Sequence, residues 1–211
     1  MTNASSTAGS ATPPRPESGT GLKALARGAA LVAVSPSLLT FPLRRRLLGA
    51  DRAVEGTMQL LALVPGVTGQ YLRRAFLSRT TAGCAPTAVV GFGTLCSKAG
   101  VRIDDHAYIG PGCFLGLAHI ERDVLIGSAV HVTSGRHTHG TGDTATPIRD
   151  QEGRLSLVRI GAGAWIGSGS VVMADVGRDA VVGAGSVVTR PIPDAVIAAG
   201  VPAVVIRSRD S

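Results

Sequence analysis

Five histidines are the side chains of this sequence best suited to moving a proton near neutral pH: His106, His119, His131, His137 and His139. His137 and His139 stand in a polar stretch rich in Gly and Thr, SGRHTHGTGDTATPIRDQEGRLS. That stretch also holds Asp143, Asp150 and Glu152, which read first as solvated loop acids. A metal site built on an H-x4-H pair finds no support. The residues five positions after the histidines are Pro111, Val124, Arg136, Gly142 and Thr144. The cysteines are Cys84, Cys96 and Cys113, an odd number without a C-x-x-C spacing. They are expected to be free, small and buried, in a reducing compartment.

The elements that must position these histidines announce themselves as a repeat. Ile103, Ile109 and Leu115 stand six apart, as do Ile120, Ile126 and Val132, then Ile160, Ile166 and Val172, then Val176, Val182 and Val188. Glycine follows the aliphatic residue at Gly110, Gly116, Gly127, Gly161, Gly167 and Gly183. Four residues after the aliphatic comes a small or branched residue: Ala107, Cys113, Val130, Ala164, Ser170, Ala180 and Ser186. Period six fits neither a helix nor a plain strand. It fits a short strand plus a corner, three of which close a triangular coil whose aliphatic and small residues stack inward on the next coil. The coils are expected from about residue 88 to 190. The repeat is one residue short between Leu115 and Ile120 and two short between Val172 and Val182. Residues 133–159 have no hexad order and are expected to protrude as a functional loop. In hexad register His106, His119, His131 and Trp165 point outward, and so does His137, where repeat gives way to loop.

Composition agrees. With 45% hydrophobic residues but 3% aromatic, the core must be Val, Ile, Leu and Ala. The net charge of +7 is lopsided. Residues 1–82 carry ten Lys/Arg against three Asp/Glu, and residues 83–211 carry eleven of each. Residues 1–21 read as a disordered tail without a secretory apolar run. Residues 22–82 read as a helical segment in four pieces divided by Pro36, Pro42 and Pro65. Its longest apolar run, residues 29–43, is cut by two of these prolines and is too short to span a bilayer. Phe41, Tyr71 and Phe76 are too few aromatics for nucleic-acid stacking beside the basic residues. Two readings of this segment stay open: a cap on the first coil with its arginines in water, or an interfacial anchor on a membrane.

VLIGSAVHVTSGRHTH, VRIGAGAWIGSGSVV and VVGAGSVVTRPIPDAVIAAGVPAVVIR resemble the bacterial hexapeptide-repeat acyltransferases, a group that includes galactoside, maltose and streptogramin acetyltransferases. The resemblance covers roughly residues 100–207 and leaves residues 1–82 untouched. It implies a mainly β chain, a left-handed parallel β-helix over residues 83–211 behind the helical segment. It implies a homotrimer with active sites between subunits. The protein is expected in the cytoplasm, and the anchor reading of the basic segment would set it at the inner face of the membrane. The resemblance also implies transfer of an acyl group, most simply acetyl, from acyl-CoA as co-substrate to a hydroxyl or amine, with no permanently bound cofactor or metal. A non-catalytic scaffold and a metal-dependent hydratase are the alternatives on the same prism.

Residue by residue, the resemblance implies the following. Aligned without gaps from VLIG onward, His137 falls on the family's catalytic base, with His139 as the choice if the loop is shifted by two. The Ser168 N–H faces the thioester carbonyl, where an amide can stabilise an oxyanion. Trp165 and Gly167 lie beside the pantetheine arm, and Ala184, Thr189 and Arg190 line its channel. Arg190 or Arg207 meets CoA phosphates. Ala203-Val204-Val205-Ile206-Arg207 lacks the arginine with which the family's A-R-V-I-R begins. CFLGLAHIERD lacks the acid and asparagine that some relatives use for the acceptor.

Overall fold

The computed structural model describes residues 20–209. The expected tail lies outside them except for Thr20 and Gly21, which are already helical. The helical segment forms three helices rather than four pieces: α1 (Thr20–Leu48), α2 (Ala50–Ala62) and α3 (Gly66–Thr80). Pro65 does separate α2 from α3, but Pro36 and Pro42 lie inside α1 and break nothing. A proline within a helix leaves the carbonyl four residues back without its donor. For Pro36 that carbonyl is Val32 O, and Ser35 Oγ donates to it at 2.7 Å. Between the prolines, Thr40 Oγ1 donates to Pro36 O and Arg44 Nη2 to Ser37 O. The reading of a short, broken apolar run is therefore overturned. Gly21–Leu48 is long and apolar enough to cross a membrane by length and composition, with a mean hydropathy of 1.5 in its 18-residue window.

The rest is the left-handed parallel β-helix that period six predicts. The first coil is β1 (Gly83–Cys84), β2 (Val89–Val90) and β3 (Leu95–Cys96). The second is β4 (Arg102–Ile103), β5 (Tyr108–Ile109) and β6 (Phe114–Leu115). The third is β7 (Ala118–Ile120), β8 (Leu125–Ile126) and β9 (His131–Val132). After the loop come β10 (Val158–Ile160), β11 (Trp165–Ile166) and β12 (Val171–Val172), then β13 (Val181–Val182) and β14 (Val187–Val188). A hairpin of β15 (Val196–Gly200) and β16 (Ala203–Ser208) ends the described chain. Successive strands of a coil go to three different faces, with strand orders β1-β4-β7-β10, β2-β5-β8-β11-β13-β15-β16 and β3-β6-β9-β12-β14.

The register carries the core. On the first face Cys84, Ile103, Ile120, Ile160, Val176 and Ile192 stack inward, all buried. Val90, Ile109, Ile126, Ile166, Val182 and Ala198 do so on the second, and Cys96, Leu115, Val132, Val172 and Val188 on the third. The coils begin at Gly83, at the start of the expected β-helix domain, although the repeat becomes readable only from about residue 88, because cysteine stands where later coils have Ile or Leu. Burial pushes the Cys84 thiol up to about 12 and Cys96 higher still, so neither is a nucleophile. The loop is also two residues shorter than expected. Val158 and Arg159 already pair with Ala118 and His119 in β10.

The helices α2 and α3 cap the open first coil. Asp51 of α2 accepts from Ala99 N–H at 2.9 Å and from Lys98 Nζ at 3.0 Å. Arg73 of α3 is fully buried, although its sequence context suggested a solvated arginine. Its guanidinium donates to Val90 O of the first coil and to Leu61 O and Val64 O at the end of α2. One side chain thereby joins both helices to the prism. Gly69 makes room, since a Cβ there would run into Val64 O and lie 2.8 Å from Arg73 Nη1.

Candidate active site

The loop leaves the third face after β9 and returns at β10. Its two ends run side by side, with Ser156 N–H donating to Ser134 O at 2.8 Å and Arg154 N–H to His137 O at 2.6 Å. His137 and His139 are on the outgoing end, both exposed. They share a pocket of about 480 Å³ with Gly140, Thr141, Glu152, Gly153 and Arg154. Farther out, Asp143 knits the loop tip. It accepts from Thr146 Oγ1 and Ala145 N–H, which hold its carboxyl below the usual range, and Gln151 Nε2 donates to its backbone oxygen. Its role here is to shape the tip.

Arg136 was not among the expected site residues, yet it organises the loop entrance. Its Nε donates to His137 Nε2 at 3.0 Å and its Nη1 donates to Thr189 O at 3.1 Å. The histidine nitrogen is therefore an acceptor, with its lone pair directed outward from the ring as a base requires. The signal was present in the Gly135-Arg136-His137 order, but a search for proton acceptors passes over a cation. Thr189 and Arg190 follow β14 and so lie on the same edge of the prism as His137, between the third and first faces.

Gly167, Ser168 and Ala184 occupy a different edge, between the second and third faces, in the corners after β11 and β13. A Cβ on Gly167 would run into Ala184 N, which accounts for glycine there. Ser168 Oγ accepts from Ser128 N–H at 3.1 Å, and Ser168 O accepts from Gly185 N–H. The Ser168 N–H itself donates to no acceptor among the described residues. Trp165 stands on the second face between Leu125 and Val181, half exposed at 50%. Arg207 is on β16, opposite Ile197 at the end of that face. One chain thus brings His137 to Thr189 and Ser168 to Ala184, but not these two pairs to each other.

The other histidines are outward, as their hexad positions require. His131 stacks on Phe114, His119 pairs with Asp104 at 2.8 Å, and His106 turns a corner with positive φ. Among the described residues no group of three or more His, Cys, Asp or Glu is placed to hold a metal ion.

A family model described as the hexapeptide repeat of succinyl-transferase matches residues 157–190. No curated protein matches the sequence. Among solved structures, a galactoside acetyltransferase in complex with coenzyme A is 25% identical, with a TM-score of 0.64 over 81% of this chain and 82% of that one. A maltose O-acetyltransferase from Clostridium difficile 630 is 23% identical, with a TM-score of 0.67 over 77% and 88%. A hexapeptide-repeat acetyltransferase from Vibrio cholerae, complexed with acetyl coenzyme A, is 24% identical, with a TM-score of 0.65 over 77% and 88%. In repeat and in fold this chain is similar to the bacterial hexapeptide-repeat acyltransferases.

Proposed function

We propose that this protein is an acyltransferase that moves an acyl group, most simply acetyl, from acyl-CoA to a hydroxyl or amine. The coarse activity is supported by the kinship of repeat and fold, which includes acetyltransferases solved with CoA or acetyl-CoA. The finer assignment rests on one observation. The acceptor nitrogen of His137 and the unused N–H of Ser168 sit on two different edges of a three-sided prism. Packed as a trimer, prisms set an edge of one copy beside a different edge of the next, as a cyclic head-to-tail interface requires. The complete site then belongs to two copies.

In that site the acceptor's O–H replaces Arg136 at His137 Nε2 and gives up its proton there. The oxygen attacks the thioester carbonyl carbon, and the Ser168 N–H of the neighbouring copy donates to the resulting oxyanion. Collapse breaks the C–S bond. The CoA sulfur takes the proton back from His137, leaving free CoA and the acylated acceptor. Trp165, Gly167 and Ala184 border the path of the pantetheine arm, and Arg190 or Arg207 meets CoA phosphates.

His137→Ala should lower kcat by about 10²–10⁴-fold, the usual worth of a general base, with little change in CoA affinity measured by calorimetry. Full activity in that variant together with loss of activity in His139→Ala would move the base two residues along the loop.

A further inference from the structure

The inner face of α1 packs on α2 and α3 through Ala30, Val34 and Phe41, with Phe41 edge-on to Phe76 at 6.1 Å between ring centres. Among the described residues nothing covers the outer face. Leu22, Leu25, Ala29, Val32, Pro36, Leu39, Leu43 and Leu47 follow one another at intervals of three or four residues, which puts them in one stripe along the helix. All eight are exposed, Leu39 to 80% and Leu22 to 76%. Such a continuous apolar face marks a contact surface. The first coil is covered chiefly by α2 and α3, and α1 reaches it through Arg27, whose guanidinium donates to Pro86 O.

Charge selects the occupant. Between Gly21 and Leu48 there is no Asp or Glu, while exposed Lys23 stands at one end of the stripe and exposed Arg45 and Arg46 at the other. Arg27 and Arg44 are turned to the protein, on Pro86 O and on Thr57 Oγ1 and Ser37 O. A second copy of α1 would bring the same cations against these in either orientation, and Pro36 would be a poor knob at the centre of the seam. An anionic bilayer meets both demands, with acyl chains for the leucines and lipid phosphates for the cations that bracket them. The helix must lie along the surface, because spanning would strip Ala30, Val34 and Phe41 from their partners.

We infer that the outer face of α1 docks this protein on an anionic lipid surface. The full-length protein should sediment with vesicles of phosphatidylcholine containing phosphatidylglycerol, less so as salt rises, and not with phosphatidylcholine alone. Replacing Leu25, Val32, Leu39 and Leu43 together by Gln should weaken that binding by about a hundredfold or more. Arg45→Gln with Arg46→Gln should weaken it by about thirtyfold, since each basic residue near such a surface contributes about one factor of five. All six positions are exposed, so far-UV circular dichroism and the melting curve should stay as in the parent. The inference is overturned if the parent binds neither vesicle, or if the four-Gln variant still binds as the parent does. A parent that ignores vesicles and a four-Gln variant of smaller mass by light scattering would assign the face to a second copy instead.

Discussion

The prism and the helical segment reach stability by opposite routes. In the prism one rule is applied many times. Each aliphatic residue lies on its counterpart a coil away, and each strand passes its backbone hydrogen bonds to the next. The helical segment joins the prism through apolar residues such as Met58, Phe76 and Leu77 and through polar contacts that are each made once, chiefly Arg73 to three carbonyls and Asp51 to Lys98 and the Ala99 N–H. A polar contact of the cap, unlike a rung of the prism, is not repeated along the chain.

Removing Arg73 should break that contrast most visibly. Arg73→Ala leaves the carbonyls of Val90 and Val64 without that donor, at about 1–3 kcal/mol each, while Leu61 O keeps the Val64 N–H. Helical ellipticity should then melt in a separate, earlier transition while the prism persists. A single transition at the parent temperature would show that α2 and α3 are held by their apolar contacts alone.

A weaker lever is pH acting at Asp51. Burial raises its pKa, but the Ala99 N–H and Lys98 outweigh that and hold the carboxyl below its ordinary value of 3.8. A carboxyl depressed in the folded state contributes stability above its unfolded value, and that contribution fades as pH falls through the folded one. The parent should therefore lose some cap stability below about pH 4, and Asp51→Asn should flatten that dependence. The effect should be small because the ion pair is partly exposed. An unchanged acid dependence in Asp51→Asn would remove Asp51 from the attachment.

The same contrast decides what could be read in the sequence. A rule repeated many times leaves a period, so Ile103 to Val188, the corners and the outward set of His131, His137 and Trp165 were legible. The hexads of the first coil were harder to see because Cys84 and Cys96 take aliphatic places without looking aliphatic. Singular solutions leave no period. Nothing in LRRAF says that Arg73 is fully buried under three carbonyls while Arg74 is half-buried against Ala88 O. Nor does a proline rule foresee that the Ser35 hydroxyl will serve the Val32 carbonyl and let α1 run on. At the loop entrance, the outward position of His137 was legible from its place at the end of the hexads. Arg136 was not, because its part depends on Thr189 being brought alongside by the coils.

Mixing two defective chains decides whether the site is divided between copies. His137→Ala removes the proton acceptor. Ala184→Trp, at an exposed corner, fills the proposed CoA path without touching the core. If each site draws His137 from one copy and the Ser168–Ala184 edge from the next, co-refolding the two inactive variants in equal amounts should restore about one quarter of parental activity, the chance that a site receives both intact halves. Mixed oligomers that form but remain as inactive as either variant alone would place the whole site within one chain and contradict this account.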